Sequence, residues 1–216
     1  TEINFAGGES TITQDHYYIL SQLLENNRTD VKLTYTTNLS TTSYKDMDFL
    51  EVWPKFKEVV IHISLDDVEQ RGEYWRNGLE WDKFLINVKR VKELSEKHPN
   101  IKMAYSITVF TFNIHRMDSI VEYMQNNDLL NNNVKLIVNS SVCFAEHHDV
   151  STLTEEFKQY AQGHVERAVE LLHDHPNKSD MEAVVNKLKL LKCDYHKASK
   201  RHVSVEHESL REFAAK

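Results

Sequence analysis

The residues that could do chemistry gather where short β-rich runs end. Five segments follow these runs: Ala-Gly-Gly-Glu-Ser at 6–10, Thr-Thr-Asn at 36–38, Ser-Leu-Asp-Asp at 64–67, Thr-Phe-Asn at 111–113 and Asn-Ser-Ser at 139–141. Carboxylate and carbonyl oxygens only accept hydrogen bonds, so an ammonium group is their natural partner. The set is typical of a pocket for a small polar ligand with a positive amine, and not of one for a phosphate-rich nucleotide.

The first segment contains an adjacent glycine pair, Gly7 and Gly8, followed by Glu9. The chain has 5 glycines in 216 residues, whereas average usage of about 7% predicts roughly 15. Two in a row therefore mark a position that needs bare backbone, because glycine reaches positive φ and lets a ligand approach the main chain closely. A plain strand-to-helix turn with a surface glutamate is the alternative interpretation.

Alternating β-rich and amphipathic runs must position these segments. Runs rich in Val, Ile, Tyr and Phe predict strands at 2–5, 31–35, 58–65, 101–109 and 134–138. Apolar residues at helical spacing predict helices after residues 11–13, over 43–52, from 81 to 98 and over 117–126. Repeated strand–helix units of roughly 25 to 40 residues indicate parallel βαβ construction and an α/β fold.

The same pattern leaves the form of the sheet open. The sheet is either open and doubly wound or curved like a barrel, and in both forms the working face lies at the carboxyl ends of the strands. After Val138 the pattern changes to two long helical stretches, at 153–173 and 179–192. We therefore expect a barrel-like unit at 1–150 and a helical extension at 151–216.

The ordered segments resemble the radical S-adenosylmethionine (radical SAM) enzymes. Gly7-Gly8-Glu9 is similar to that family's Gly-Gly-Glu motif, and Thr37-Asn38 resembles its Thr-Asn turn. Ser64-Leu65-Asp66 followed by Tyr74-Trp75-Arg76-Asn77-Gly78 is similar to its Ser-hydrophobic-Asp and Tyr-x-Arg-x-Gly pattern, and Asn113 matches an Asn after the next strand. The subgroup that these motifs resemble most is the SPASM/twitch type, which modifies peptides and small molecules.

The resemblance implies a partial (βα)6 TIM-like barrel, of which this chain supplies the second to sixth units. It also implies S-adenosylmethionine bound on a [4Fe-4S] cluster, whose one-electron reduction gives a 5′-deoxyadenosyl radical that abstracts hydrogen from a peptide or small-molecule substrate. An electron donor such as flavodoxin or ferredoxin is implied as a partner. In such enzymes the cofactors carry the chemistry and the protein positions them.

The resemblance further implies roles for individual residues. Those expected to contact the cofactor are Gly7, Gly8, Glu9, Asn38, Ser64, Asp66, Arg76 and Asn113. The Gly-Gly-Glu turn would accept hydrogen bonds from the methionine ammonium, Ser64 and Asp66 would lie near the ribose, and the two asparagines would line the pocket. Arg76 would pair with the methionine carboxylate, which suits its planar guanidinium; an ion pair with a neighbouring barrel carboxylate is the alternative.

The sequence departs from the family at the cluster. The family's CxxxCxxC, which holds the cluster through three thiolates, is absent, and the chain has only Cys143 and Cys193. Because that motif precedes Gly-Gly-Glu in the family, we expect these residues to be a fragment of a longer protein and to be inactive alone. Ser10 stands where proline commonly follows the motif, and there is no Cys-rich extension for an auxiliary cluster.

Two other functions fit the same residues. A non-radical α/β-barrel enzyme could use Glu9 and Asp66 as acid and base. Alternatively, a degenerate module could bind S-adenosylmethionine without catalysis.

Composition excludes several classes of protein. The formal charge of −7 argues against nucleic acid as the main partner, because phosphate binding needs a basic face. No stretch approaches 18 consecutive apolar residues, so the sequence predicts no membrane span. Two cysteines exclude a disulfide framework, and the first residues do not resemble a signal peptide, so we expect a cytoplasmic location.

Other conspicuous residues have ordinary interpretations. The 12 histidines show no metal-binding spacing, and we expect solvated side chains at His147, His148, His173, His175, His196, His202 and His207. Cys143 and Cys193 are expected to be structural, and the basic run at 187–202 is expected to be a solvated helix face. The three tryptophans are expected to pack in the core or at an interface: Trp53, Trp75 and Trp81.

Overall fold

Residues 1–139 and 150–190 are described in a computed structural model of the chain. The strands are β1 (Glu2–Phe5), β2 (Lys32–Thr37), β3 (Ser43–Tyr44), β4 (Met47–Asp48), β5 (Glu58–Ser64), β6 (Ile101–Thr108) and β7 (Lys135–Asn139). The helices are α1 (Gln14–Glu25), α2 (Phe49–Val52), α3 (Glu69–Trp75), α4 (Trp81–Lys97), α5 (Met117–Asn126), α6 (Glu155–Leu171) and α7 (Lys178–Leu190). Several predictions fall on residues outside the described ranges. They concern Ser140, Ser141, Cys143, His147, His148, Cys193, the three C-terminal histidines and the basic run beyond Leu190.

The main sheet is parallel and keeps the order of the sequence. Its five strands lie side by side in the order β1-β2-β5-β6-β7, and every neighbouring pair is parallel. A doubly wound sheet reverses its strand order at a switch point, whereas this one runs in a single direction, as in a partial barrel. The predicted α/β fold is confirmed, and the five predicted strands are all present with ends that differ by one or two residues.

One face of the sheet is covered by helices. Phe5, Tyr35, Ile61 and Met103 are in register across four strands and are buried. The helix layer packs directly on this row, since the His16 ring of α1 lies 4.7 Å from the Phe5 ring and 5.5 Å from the Tyr35 ring, centroid to centroid. The alternating apolar residues of the strands therefore build the core on this side.

The opposite face is polar and remains accessible. The adjacent row, one residue earlier in each strand, consists of Asn4, Thr34, Val60 and Lys102, which are half-buried or exposed. Parallel sheets are ordinarily covered on both faces, and their strands are then apolar throughout. The polar residues of this face distinguish it from the apolar face that the described helices cover.

The predicted helix over 43–52 is wrong in its first half. That half forms the β3–β4 hairpin, and only α2 at its end is helical. Lys45, at the hairpin tip, has φ +55°, which a helix does not allow. The tip is held on α1, because the Tyr17 hydroxyl donates to Asp46 Oδ1 over 2.8 Å and the Lys45 ammonium lies 4.9 Å from the Tyr17 ring centroid. These contacts between distant residues override the local helical spacing.

The C-terminal helices continue the same core. Ala161, Val165 and Ala168 of α6 are buried in the cluster that includes the covered face of the sheet, so the division at residue 150 stays a prediction. The expectation of a solvated His175 is wrong, because this side chain is buried, donates from Nε2 to the Val134 carbonyl (3.0 Å) and accepts at Nδ1 from the Asn177 amide (3.1 Å). It closes the turn between α6 and α7 against the start of β7.

The tryptophans differ in burial. Trp53 and Trp81 are buried in the core, as expected, and Trp75 is half-buried. No helix within residues 1–139 and 150–190 is long and apolar enough to cross a membrane.

Candidate functional site

Seven of the eight predicted site residues lie at or beyond the carboxyl ends of adjacent strands, and the eighth, Arg76, follows α3. The glycine pair and Glu9 follow β1, Asn38 follows β2, Ser64 ends β5, and Asn113 follows β6. Since these strands are parallel neighbours, their carboxyl ends form one edge of the sheet. In α/β proteins that edge is where ligands bind.

The glycine pair forms an exposed turn with open space beside it. Gly7 has φ +87° and Gly8 has φ +55°, values in the left-handed region that favour glycine. A Cβ added at either position would meet no atom within 4 Å. The pair therefore satisfies a backbone requirement and leaves the adjacent volume free for a ligand.

Glu9 ties the first loop to the end of the neighbouring strand. Its Oε1 accepts hydrogen bonds from the Thr11 hydroxyl (2.6 Å) and the Thr37 hydroxyl (2.7 Å), and its Oε2 accepts one from the Asn38 amide (2.7 Å). The Thr-Asn turn therefore supplies donors to the Gly-Gly-Glu turn, a pairing that the sequence pattern does not predict. Oε2 receives one hydrogen bond among the described residues, so it retains capacity for a further donor.

Arg76 and Asp66 form an ion pair at the same edge. Arg76 Nη2 lies 2.9 Å from Asp66 Oδ2, and the two side chains are 28% and 16% exposed. This is the alternative interpretation of Arg76, an ion pair with a neighbouring carboxylate. Burial raises the pKa of the Asp66 carboxyl, and the Arg76 guanidinium opposes that rise. Within the described part of the chain, the buried Arg76 Nε has no hydrogen-bond partner.

Aromatic side chains cluster around Trp75, the residue that precedes Arg76. The Trp75 ring stacks on Phe112 at 5.3 Å with 30° between the planes, and it meets Phe110 edge-on at 5.1 Å. Tyr74 lies edge-on to Trp75 at 5.1 Å and is exposed. The Tyr-x-Arg-x-Gly segment thus brings a charged group and an apolar surface to one place.

The two asparagines and Ser64 have different environments. Asn113 is fully buried: its Oδ1 accepts from the Phe110 amide (2.9 Å), and its Nδ2 donates to the Asp66 and Thr108 carbonyls (both 2.8 Å). Its amide is thus engaged in joining the loops after β5 and β6. Asn38 accepts from the Ser40 amide at Oδ1 (2.9 Å), and Ser64 is half-buried on the open face, in register with Ser106.

A second ion pair behind the site had no signal in the sequence. The Asp67 carboxylate is completely buried, and Arg116 Nε lies 2.9 Å and 3.2 Å from its two oxygens. Gly72 permits this arrangement, since a Cβ there would lie 2.7 Å from the Asp67 carbonyl oxygen. The pair fixes the loop that carries Asp66, although its members are 49 residues apart.

The described residues contain no group of three or more His, Cys, Asp or Glu that could hold a metal ion. The chain's two cysteines are one fewer than the three that hold the cluster in the family it resembles. These residues therefore do not fit an iron–sulfur cluster.

Comparisons with known proteins give little further information. No protein-family model matches the chain, and no curated protein matches it. Among solved structures 7 chains match. One is the crystal structure of Streptococcus suis SuiB bound to S-adenosylmethionine, at 19% identity and a TM-score of 0.47, with 80% of this chain and 34% of that chain covered. This chain thus spans about a third of that protein, and a likeness this weak leaves the function to be judged from the site.

Proposed function

We propose that this chain forms the S-adenosylmethionine-binding part of a radical SAM enzyme, with the cofactor at the carboxyl edge of the sheet. The observation that carries the proposal is the Arg76 guanidinium, which is paired with Asp66 through one terminal nitrogen while its buried Nε has no partner among the described residues. A buried donor without a partner is costly. A ligand carboxylate that binds at Nε would remove this cost, and it would gain the directional hydrogen bonds that a guanidinium offers.

The amino end of the same ligand fits the first loop. An amino acid carries a positive ammonium close to its carboxylate, and the acceptors for it are the free lone pairs of Glu9 and the backbone beside the glycine turn. Ser64 ends β5 and Asp66 follows it beside Arg76, and both can accept hydrogen bonds from hydroxyls, which suits a ribose. The amide of Asn113 is already engaged, so its contribution is to position Asp66 through the carbonyl that it binds.

S-adenosylmethionine, when bound, supplies the adenosyl group that radical SAM enzymes use to abstract hydrogen from a peptide or small-molecule substrate. This chain's residues bind and orient it. Because the described residues do not fit the cluster, their role in the reaction is limited to this binding and orientation. The binding-only alternative shares the same site and differs only in the chemistry that follows.

The acid–base alternative has less support from the site. Glu9 is occupied by hydroxyl and amide donors that hold the fold together, and Asp66 is paired with Arg76. In this proposal both carboxylates therefore serve to bind and position the ligand.

Calorimetric titration of the chain with S-adenosylmethionine tests the proposal. We expect saturable binding to the wild type and about tenfold weaker binding to Arg76→Lys, which keeps the charge and loses the planar set of donors. Arg28→Lys is the matched control, since Arg28 pairs with Asp30 in the segment that precedes β2, at the amino ends of the strands, and it should bind like the wild type. A folded wild-type chain that takes up no ligand, or equal losses in both variants, would refute the proposal.

A second measurement separates an enzyme from a binding module. A form of the protein that carries three cluster cysteines should release 5′-deoxyadenosine under anaerobic reduction. Tight binding with no release would assign the chain to the non-catalytic alternative.

A further inference from the structure

A row of four residues crosses the middle of the open face. Thr36, His62, Ala104 and Lys135 are in register on β2, β5, β6 and β7. Because neighbouring strands lie about 4.8 Å apart, the backbones at His62 and Lys135 are about 10 Å apart, with Ala104 between them. Ala104 is only 2% exposed, so the side chains around it close over its methyl group, and a ligand would lie above it.

The charges of the open face are not balanced. Lys32 lies 3.2 Å from Glu2, and Lys102 lies 2.9 Å from Glu58, so four of the five charged groups that the described strands place on this face form pairs. The fifth is the ammonium of Lys135, which is exposed and forms no ion pair with any residue in the described ranges. The face therefore has an excess of one positive charge at this row, in a chain whose formal charge is −7.

The imidazole of His62 lies within the field of this cation. Burial lowers the pKa of His62, and Lys135 and then Lys32 lower it further. The residues that flank His62 across the sheet, Thr36 and Ala104, are uncharged. An anion bound at this row would compensate the cations and would also accept a hydrogen bond from the imidazole.

We propose that this row is an anion subsite, in which the Lys135 ammonium and the His62 imidazole bind a carboxylate of the substrate. The two donors flank Ala104, whose short uncharged side chain adds no charge between them, and the carboxylate would lie above its buried methyl group. On β5 the row's His62 precedes Ser64 by two residues on the same face. A ligand bound at the row could therefore extend toward the carboxyl edge. The identification of the bound molecule as the substrate rests on the proposed function. The binding of a carboxylate at this row does not depend on it.

Glutarate is the probe for this subsite, with neutral glutaramide as its control. Side-chain NMR of the whole chain follows the His62 imidazole signal, which His62→Gln identifies. We expect glutarate to shift that signal and to raise the pKa of His62, because a nearby carboxylate stabilises the imidazolium. Glutaramide should do neither.

Two charge-removing variants locate the site. Lys135→Met should weaken glutarate binding about threefold or more, in line with a partly exposed ion pair. Lys89→Met removes an exposed lysine from α4, on the helix side of the sheet, and should bind glutarate like the wild type. Equal affinities in the two variants, or binding of glutaramide as well as glutarate, would overturn the proposal.

Calorimetry with S-adenosylmethionine separates this inference from the proposed function. Lys135→Met should bind that cofactor like the wild type, because its charge lies away from the carboxyl edge. Glutarate binding in a chain that does not bind the cofactor would refute the proposed function and leave the anion subsite standing. Loss of cofactor binding in Lys135→Met would overturn the assignment of this row as a separate subsite.

Discussion

The two faces of the parallel sheet are built from the same strands but differ in burial and polarity. On β5, Val59 and Ile61 face the helices and are fully buried, while Val60 and His62, between and beyond them, lie on the open face and are half-buried. The covered face provides the hydrophobic stabilisation that holds the sheet together. The open face carries hydroxyls, ion pairs and a surplus cation, and it leads to the edge where Asp66 and Arg76 meet.

The pKa values of two histidines reflect the same difference between the faces. His16 is buried against the covered face, with its Nε2 3.1 Å from the Tyr35 hydroxyl, and burial lowers its pKa to about 4. The pKa of His62 on the open face is also lowered, with Lys135 and Lys32 contributing after burial. The first shift is a consequence of core packing, whereas the second partly reflects charges that a ligand could neutralise.

The largest expected effect concerns acid stability. The native chain keeps His16 neutral down to about pH 4, while the unfolded chain takes up a proton from about pH 6.5. The free energy of unfolding should therefore fall by about 3 kcal/mol from His16 alone as the pH falls through this range. Denaturant titrations at several pH values measure this fall.

Variants of the two histidines assign that pH dependence. His16→Phe, which retains a ring among Phe5, Tyr35 and Phe49, should lose much less stability than the wild type between pH 7 and 4. His62→Gln should remove a smaller part of the fall. Parallel curves for His16→Phe and the wild type would show that the buried ring does not control acid stability.

A matched pair of valines tests the difference in packing between the faces. Val59→Ala should lower the free energy of unfolding by about 2 kcal/mol, because it removes two buried methyl groups and leaves a cavity. Val60→Ala makes the same chemical change on the open face and should cost less than about 1 kcal/mol. Urea unfolding with unchanged m values measures both, and equal costs would contradict the assignment of the faces.

A pair of glycines contrasts the carboxyl edge with the helix layer. Gly8→Ala should destabilise the chain by about 1 kcal/mol, since φ +55° is unfavourable for alanine even though its Cβ meets no atom. Gly163→Ala, at an exposed position inside α6, should stabilise it by about 1 kcal/mol through helix propensity. Thermal unfolding of both variants should show midpoints that move in opposite directions, and shifts of the same sign would count against the turn geometry.

The sequence predicted what depends on local periodicity. The five parallel strands and α1, α4 and α5 follow from alternating or helical spacing, and their ends are close to the predicted ones. Two elements could not be found in this way. The β3–β4 hairpin depends on contacts with Tyr17 on another element, and α3 is short, contains Gly72 and begins without a side-chain cap.

The sequence pattern places the candidate residues near one another but does not predict their contacts, and their role as a cofactor site stays a prediction. Seven of the eight residues lie at or after the end of a parallel strand, and Arg76, which follows α3, reaches the same edge through its ion pair with Asp66. Spacing alone could not show that Glu9 binds Thr37 and Asn38, or that Asp67 pairs with Arg116 across 49 residues. Such pairs depend on the order in which strands lie side by side, which the pattern left open between two sheet forms.

Amide hydrogen exchange with and without S-adenosylmethionine tests the central claim most directly, because it locates binding on the chain. We expect the ligand to slow exchange at residues 7–9, at the turn after β2 and between Asp66 and Arg76, and to leave the exposed side of α4 unchanged. Slowed exchange confined to the helix layer, or no change at the carboxyl edge at saturating ligand, would contradict the assignment of this edge as the cofactor site.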